Sequence, residues 1–344
     1  MRNKGFLAVL GALGSALMML ASATRERTVP DFIVPEAWPQ PVYDFSKNPL
    51  TAAGVQLGRQ LFYDPLLSRD TTISCASCHL QATAFTHVDH ALSHGIEGRI
   101  GKRNSPVLVN LAWNKSFMWD GGVHHLDLQP LSPLSSPEEM GGSLEAVLRK
   151  LNASGKYRQL FAAAFGDSLA TGQRTLLALS QFMLSLQSYN AKYDQCMRRE
   201  PGVAFTEQES RGLAIFRQHC ASCHPEPLFT NGDFANNGLP VDTALMDAGR
   251  ARITGNPADS LKFKVPTLRN IQFSYPYMHD GRFKKLSEVV KHYTDGIQPG
   301  PTLDARLQTP PALRHEEKID LVAFLLTLTD RAFLFDARWG FPRE

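Results

Sequence analysis

The sequence has almost no excess of charge of either sign, because 36 Lys and Arg residues are balanced by 33 Asp and Glu residues over 344 positions. A surface for a polyanion is therefore not indicated, and we expect no nucleic-acid partner. Long apolar runs are also scarce, since only one is present, and this excludes a protein with several membrane spans. The contents of Gly (25) and Pro (22) exclude a collagen-like chain, and 43% hydrophobic residues exclude full disorder. The length is sufficient for two domains.

The one long apolar run covers residues 5–21. Arg2 and Lys4 precede it, and it ends in Ala21-Ser22-Ala23. A basic start, an apolar stretch and a small-x-small site are typical of a secretory signal peptide, so we expect residues 1–23 to be removed after Ala23 and the protein to act in the periplasm. An uncleaved N-terminal anchor is the alternative.

Cysteine is rare, but four of the five residues stand in two matching strings, Cys75-Ala-Ser-Cys78-His79 and Cys220-Ala-Ser-Cys223-His224. This order is the attachment signal of c-type haem, in which two thiols bond the vinyl groups and the adjacent histidine ligates the iron. We therefore predict two covalently bound haems with His79 and His224 as axial ligands. A four-cysteine zinc site and a redox disulfide within each pair are alternatives, although neither needs the paired histidines. Cys196 is left over, as an inert buried thiol or as a partner for an intermolecular disulfide.

Apolar residues at helical spacing dominate the chain, whereas strand-like alternation is sparse. The pattern predicts helices over residues 51–62, 143–151, 156–165, 173–190 and 316–329. Thr206 and Glu209 have the spacing of a capping box at the start of another helix. We therefore predict a mainly α fold.

An internal repeat surrounds the two haem strings. Pro106-Val-Leu-Val-Asn110 matches Pro266-Thr-Leu-Arg-Asn270, and Trp119-Asp-Gly121 matches His279-Asp-Gly281 without a gap between the pairs. Chance similarity would not keep that spacing, so we infer two related cytochrome c-like haem domains in tandem.

The best candidate for a linker between them is the segment Arg198-Arg-Glu-Pro-Gly202. We accordingly assign residues 24–200 to an N-terminal domain and residues 201–344 to a C-terminal domain. Four prolines between residues 24 and 45 indicate that the first domain begins with an extended arm.

The same register shows a difference between the halves. Fourteen residues after Trp119 stands Pro133, whereas fourteen residues after His279 stands Tyr293. Proline cannot ligate iron and tyrosine can, so the first haem would keep an open sixth position and the second would be closed by Tyr293. Alternatively, Tyr293 is a packed aromatic residue and another side chain ligates the second iron. The other candidates for that ligand are Met278, Met246 and His292.

Two polar residues, Gln129 and Glu139, follow within ten positions of Trp119 and Pro133. A carboxylate above an open iron can move a proton from the inner to the outer oxygen of bound peroxide, which makes water the leaving group. The glutamine amide can orient the peroxide. Both residues are equally compatible with an exposed loop.

Together these features resemble the bacterial di-haem cytochrome c peroxidases and their relative MauG, over most of residues 45–335. The resemblance rests on both Cys-x-x-Cys-His strings, Arg103-Asn-Ser-Pro106, Met118-Trp-Asp-Gly121, Gln129 with Pro133 and Glu139, Val265-Pro-Thr-Leu-Arg-Asn270, Pro276-Tyr-Met-His-Asp-Gly281 and Phe324-Leu-Leu-Thr-Leu-Thr329.

The resemblance implies that the first domain is peroxidatic, with Gln129, Pro133 and Glu139 in the distal pocket of its haem, and that the second domain transfers electrons. It also implies that Trp119 lies between the haems and relays electrons.

A calcium ion between the domains is implied as well. By motif matching, its protein ligands would be the side chain of Asn104 and the backbone carbonyls of Ser274 and Pro276, and hard oxygen ligands suit calcium. Members of the family are often dimers, so a homodimer is an assembly to test.

Three positions depart from the pattern of the family. Tyr293 stands where the peroxidases have methionine and MauG has tyrosine, and a phenolate lowers the haem potential relative to a methionine ligand. Gly122 stands where the family usually has arginine. Many members have a displaceable distal histidine after the first haem string, and His94 is near that position without being in strict register. His94 is therefore either a resting ligand of the first iron or a solvated loop residue.

We predict an oxidoreductase of the cytochrome c peroxidase type, which reduces hydrogen peroxide with electrons from a small c-type cytochrome or cupredoxin. Tyr293 motivates an alternative, a MauG-like enzyme that uses peroxide to oxidise residues of a partner protein. A third alternative is a non-catalytic di-haem electron carrier, which would keep both irons six-coordinate, and Pro133 argues against it.

Overall fold

The computed structural model describes residues 32–342, so the predicted signal peptide and its cleavage site lie outside the described residues. The fold is mainly α, as predicted. The α-helices are α1 (Ala52–Tyr63), α2 (Cys75–Cys78), α3 (Leu131–Ser135), α4 (Leu144–Ala153), α5 (Gly155–Phe165), α6 (Gly172–Ser185), α7 (Lys192–Met197), α8 (Glu207–His219), α9 (Ala251–Thr254), α10 (Leu286–Lys291), α11 (His315–Leu326) and α12 (Arg331–Leu334).

Shorter elements connect these helices. The 3-10 turns cover Pro65–Leu67, Gln81–Thr83, Ile96–Gly98, Leu111–Trp113, Leu126–Leu128, Pro257–Asp259 and Ala305–Leu307, and a π-helical turn covers His292–Gly296. The strands β1 (Phe234–Ala235) and β2 (Phe263–Lys264) pair antiparallel, with Phe234 opposite Lys264.

Several helices begin at capping residues visible in the sequence. Thr51 caps α1 by accepting a hydrogen bond from the Gly54 N–H. Thr206 and Glu209 form the predicted capping box at the start of α8. The prediction for residues 173–190 was too long, because α6 ends at Ser185 and the carbonyl of Leu186 accepts a hydrogen bond from the backbone N–H of Asn110 instead.

Each half is built around one close crossing of two helices. In the first half α1 crosses α6 with Gly58 against the backbone of Ala178, and in the second half α8 crosses α11 with Gly212 against the backbone of Asp320. A Cβ at either glycine would overlap the carbonyl oxygen of the facing helix. The two crossings therefore require a residue without a side chain.

Two apolar cores correspond to the two halves. The first includes Phe62, Phe85 and Phe182, and the second includes Phe216 and Phe324. These aromatic side chains pack in edge and tilted contacts beneath the haem strings. The repeat in the sequence thus corresponds to a repeat in packing.

Both ends of the described chain lie on the first core. Trp38 of the arm is buried there, and the indole of Trp113 donates to the carbonyl of Pro39 at 2.7 Å. Phe333 and Trp339, near the C-terminus, belong to the same core, and the hydroxyl of Tyr63 donates to the carbonyl of Trp339 at 2.8 Å. The last residues therefore return to the first half. Within residues 32–342, no helix combines the length and the apolarity that a membrane span needs.

The glycine crossing generates a stability prediction. We expect Gly58→Ala to lower the free energy of unfolding by about 1–3 kcal/mol, because α1 and α6 must separate to admit the methyl group. The measurement is thermal and denaturant unfolding of the holoprotein, followed by far-ultraviolet circular dichroism. Gly155→Ala is the matched control, since nothing lies within 4 Å of a Cβ at that helical position. Equal stability of the two variants would contradict the close crossing.

Candidate functional site

The two haem strings have the same local geometry. In the first, α2 covers the cysteine pair, and the backbone N–H of His79 donates to the carbonyl of Cys75 at 3.0 Å. In the second, the backbone N–H of His224 donates to the carbonyl of Cys220 at 2.9 Å. Each string is thus one tight turn, which presents two thiols and an imidazole to the same side.

The imidazole rings are oriented in the same way. Nδ1 of His79 lies 2.6 Å from the carbonyl oxygen of Phe85, and Nδ1 of His224 lies 3.0 Å from that of Phe229. With Nδ1 donating to a carbonyl, Nε2 is the ring atom that can ligate iron. Burial lowers the pKa of each histidine to about 4, so both rings are neutral at pH 7, as metal ligation requires.

The thiols fit thioether attachment better than the alternatives. None of the five cysteines forms a disulfide. Among the described residues, no group of three or more His, Cys, Asp or Glu side chains is arranged to hold a metal ion, which argues against a zinc site. Burial raises the pKa of Cys75 and of Cys220 to about 12, so these thiols are not reactive thiolates.

A cavity of about 460 Å³ opens beside the second haem string. Cys220, Cys223 and His224 lie on one side of it, and Met278 and Tyr293 also line it. Its apolar wall comes from α8, α10, α11 and the loop that follows β2. The residues are Phe216, Leu268, Ile271, Val289, Leu321 and Leu325. Two thiols, a neutral imidazole and an apolar wall around one cavity fit a c-type haem.

Tyr293 lies in the π-helical turn that follows α10, close enough to Cys220 and Cys223 for their charges to influence it. Burial raises its pKa to about 12. The nitrogen of the Asn237 amide lies 3.4 Å from its hydroxyl oxygen and donates to it. Tyr293 therefore lines the cavity beside the second haem string, and its ligation of the iron stays a prediction.

The other candidates for this position differ in their surroundings. The side chain of Met246 is 72% exposed, so it does not reach a buried iron site. His292 is buried, but its Nε2 lies 3.0 Å from the carbonyl oxygen of Asn237 and is engaged there. Met278 lines the cavity together with Tyr293 and accepts from the same amide, at 3.6 Å. The choice is thus between Tyr293 and Met278.

Around the first haem string the corresponding position is held by Pro133, within α3. Glu139 follows α3, and its carboxyl group is close enough to raise the pKa of both Cys75 and Cys78. Burial, and then the neighbouring charge of Glu138, raises the pKa of Glu139 itself. A half-buried carboxyl group therefore lies beside the first haem-binding turn.

The loop that carries His94 reaches the same place. The Cys78 thiol donates to the carbonyl oxygen of His94 at 3.5 Å, and the Ile96 N–H donates to the carbonyl of Glu139 at 2.8 Å. The ring of His94 lies 4.3 Å from the ring of His90. The sequence-predicted residues Glu139 and His94 are thus brought together, and ligation by His94 stays a prediction.

Gln129 lies in a separate part of the same half. Its amide nitrogen is 3.8 Å from the sulfur of Met118, the residue before Trp119. Gln129 thus contacts the tryptophan loop, and its place in the distal pocket of the first haem stays a prediction.

Trp119 lies where the two halves meet. Its indole N–H donates to the carbonyl of Asn104 at 2.8 Å, and its own carbonyl accepts from the backbone N–H of Lys264 at 2.7 Å. It also lines the cavity that contains His224 and Tyr293. The residue predicted to lie between the haems is thus hydrogen-bonded to the first half through its indole and to the second half through its backbone carbonyl.

Arg103, which sequence reasoning left without a role, supports the tryptophan loop. Its guanidinium pairs with Asp120 at 2.6 Å and with both carboxylate oxygens of Asp247, at 2.6 and 2.8 Å. The backbone N–H of Gly122 donates to Asp120 at 3.0 Å. Arg103 therefore supports the loop of Trp119 through its ion pair with Asp120.

Three further residues were matched to a calcium site. Asn104, Ser274 and Pro276 all line the same cavity. The amide nitrogen of Asn104 donates to the carbonyl of Ala91 at 3.1 Å, which leaves its oxygen as the donor atom for a cation. Oxygen atoms of these kinds are hard ligands that suit calcium, and the calcium site stays a prediction.

Two residues of the site were missed by sequence reasoning. Asn237 contacts Tyr293, but it lies in a segment without counterpart in the first half, so no repeat signalled it. Lys264 lines the cavity, and its ammonium donates to the carbonyl of Ser116 at 3.1 Å. Burial lowers its pKa to about 8. The sequence signal that could have identified Lys264 was its position two residues before Pro266, the first residue of the repeated segment.

Comparisons with known proteins agree with this geometry. Residues 52–202 match the family of di-haem cytochrome c peroxidases, and residues 209–329 match cytochrome c. The chain is 35% identical to the methylamine utilization protein MauG of Methylorubrum extorquens, over 86% of this chain and 82% of MauG. It is 33% identical to the cytochrome c551 peroxidase of Nitrosomonas europaea, over 82% of this chain and 81% of that enzyme. A solved MauG-like protein associated with microbial copper homeostasis has a TM-score of 0.82 and 32% identity, over 91% of this chain and 99% of that one.

The haem strings generate the prediction for this site. We expect the double variant Cys75→Ala with Cys78→Ala to carry one covalently bound haem per chain, because the second string is untouched. The measurement is the haem content of the unfolded, acetone-washed protein as its pyridine complex. Cys196→Ala is the matched control and should keep two haems, since its thiol belongs to neither string. Two haems in the double variant would contradict the assignment.

Proposed function

The chain belongs to the family of di-haem cytochrome c peroxidases and MauG, and from this membership we propose that it reduces hydrogen peroxide to water with electrons from a small redox protein. The observation that carries the proposal is the half-buried carboxyl group of Glu139 beside Cys75 and Cys78. The two c-type haems of the family supply the binding of peroxide and the storage and transfer of electrons.

In this proposal Glu139 moves the proton. As a carboxylate it takes the proton from the inner oxygen of peroxide and returns it to the outer oxygen, so that water leaves. Burial favours the neutral form of the carboxyl group, which makes it a stronger base than an exposed glutamate. Gln129, at the sulfur of Met118, is proposed to orient the peroxide from the side of the tryptophan loop.

We propose different roles for the two haems, peroxide binding at the first and electron transfer at the second, from the difference between Pro133 and Tyr293. Pro133 offers no ligand atom, which leaves room for peroxide at the haem of His79. Tyr293 is directed at the site of the haem of His224 and would close it, so that this haem only exchanges electrons. Trp119, bonded to both halves, is the proposed relay between them.

The remaining assignments are proposals of the same kind. We assign residues 24–200 to the peroxidatic domain and 201–344 to the electron-transfer domain. A calcium ion held by Asn104, Ser274 and Pro276 would brace the interface beside Trp119. A periplasmic location is supported by the signal-peptide pattern of residues 1–23 and by covalent haem attachment, and the electron donor would be a c-type cytochrome or cupredoxin.

Tyr293 favours a second candidate function. A tyrosine ligand lowers the potential of the second haem and stabilises its oxidised forms. This suits an enzyme that stores oxidising equivalents and uses them to oxidise a partner protein. The similarity to MauG and to a MauG-like protein supports this alternative. The substrate would then be a side chain of that partner.

Glu139 provides the first test. We expect Glu139→Gln to lower peroxide turnover by about 10²–10⁴-fold with both haems retained, because the amide cannot accept the proton. In the unmodified protein, turnover should fall as the pH drops through the raised pKa of Glu139, since the base becomes protonated, and the variant should lack this limb. Steady-state peroxide consumption against pH measures both effects. Glu138→Gln, at the exposed neighbouring glutamate, is the control, and an equal loss in both variants would sink the assignment.

Rapid mixing of the fully oxidised protein with one equivalent of hydrogen peroxide separates the two functions. A long-lived absorbance change without prior reduction favours the MauG-like function, because the second haem then holds the oxidising equivalent. Absence of reaction until one haem is reduced, followed by rapid oxidation of added cytochrome c, favours the peroxidase. Tyr293→Met should move the protein towards the second behaviour.

A further inference from the structure

The side chain of Asn237 contacts both residues that compete for the second iron. We infer that Asn237 is a positioning residue, which tunes the potential of the second haem through a hydrogen bond to the oxygen of its distal ligand, Tyr293. This inference deepens the proposed function and rests on it, since it takes Tyr293 as the ligand.

The contact is made by one amide group. Its nitrogen lies 3.4 Å from the oxygen of Tyr293 and 3.6 Å from the sulfur of Met278. An amide nitrogen carries two hydrogens, so it can donate to both atoms. The phenol oxygen still has a lone pair for iron when it accepts this hydrogen bond. The arrangement therefore places a donor at the tyrosine oxygen and leaves that oxygen available as a ligand.

Backbone hydrogen bonds fix the position of the segment that carries Asn237. The carbonyl of Asn237 is engaged by Nε2 of His292 at 3.0 Å, next to Tyr293 in sequence. The following residue, Gly238, has φ of 67°, and its carbonyl accepts from the N–H of Gln298 at 2.8 Å. The segment is thus tied to residues on both sides of Tyr293, which fixes the backbone position from which the Asn237 amide reaches the phenol.

A donor at a ligating oxygen has a defined electronic effect. It withdraws electron density from the oxygen, so the oxygen stabilises the oxidised iron less. Tyrosine ligation by itself lowers the potential, and Asn237 offsets part of that decrease. The second haem would therefore still accept electrons from a small redox protein while keeping access to its oxidised forms.

The test compares Asn237→Leu, which removes the donor at similar volume, with Asn237→Ala, which serves if the leucine variant does not assemble with two haems. Both are combined with Tyr293→Phe in a double-mutant cycle. The readouts are the midpoint potential of the second haem by spectroelectrochemical titration and its resonance Raman tyrosinate bands. Asn256→Leu, at an exposed asparagine of the same half, is the control.

We expect the Asn237 variants to shift the second-haem potential downward and to move the tyrosinate bands, with no shift in the control. In the Tyr293→Phe background the same change should have no further effect. If Tyr293→Phe alters the second-haem spectrum and the Asn237 variants leave potential and bands unchanged, the inference is overturned while the proposed function stands. If Tyr293→Phe leaves that spectrum unchanged, tyrosine ligation is wrong and the inference falls with it.

Discussion

Two backbone hydrogen bonds exchanged between the repeats set the geometry on which both sites depend. The N–H of Asn104 donates to the carbonyl of His279, and the N–H of Lys264 donates to the carbonyl of Trp119, both at 2.7 Å. Asn104 and Lys264 stand two residues before the matched prolines, so each repeat gives the other the same bond. This exchange places the Trp119 loop of the first half against the cavity of the second. A side chain between two haems needs an interface that fixes it from both sides, and backbone bonds do so independently of side-chain identity.

On this symmetric frame, a few positions make the halves differ. Where the first repeat has Val109, the second has Arg269, whose fully buried guanidinium pairs with Asp194 at 2.8 and 2.9 Å and also donates to the carbonyl of Pro227. A buried arginine without its partner would be strongly destabilising. The pair therefore fixes the segment 227–229, where the carbonyl of Pro227 accepts from Arg269 and the carbonyl of Phe229 orients His224. The second half thus has a buried ion pair beside its haem string that the first half lacks at the matched position, which suits the role proposed for the second haem.

The sequence was most informative where one physical requirement leaves few residues able to meet it. The order Cys-x-x-Cys-His and the capping pair Thr206 and Glu209 are of this kind, and both haem turns and the start of α8 follow from them. The asymmetry between Pro133 and Tyr293 was also accessible, because the repeat keeps register there. Contacts made by residues outside the repeat could not be predicted from the sequence. Pro266 stands 42 positions after His224, whereas Pro106 stands only 27 positions after His79. The extra residues had no counterpart from which a role could be inferred.

That extra segment serves both sites at once. Near its start, Asn237 donates to Tyr293, and further along, Asp247 pairs with Arg103 and the guanidinium of Arg250 donates to the carbonyl of Asp120 at 3.2 Å. The same stretch of chain therefore holds the distal side of the second haem site and the loop that carries Trp119. The two sites of this protein are thus connected through Trp119 and also through the segment that contacts its loop.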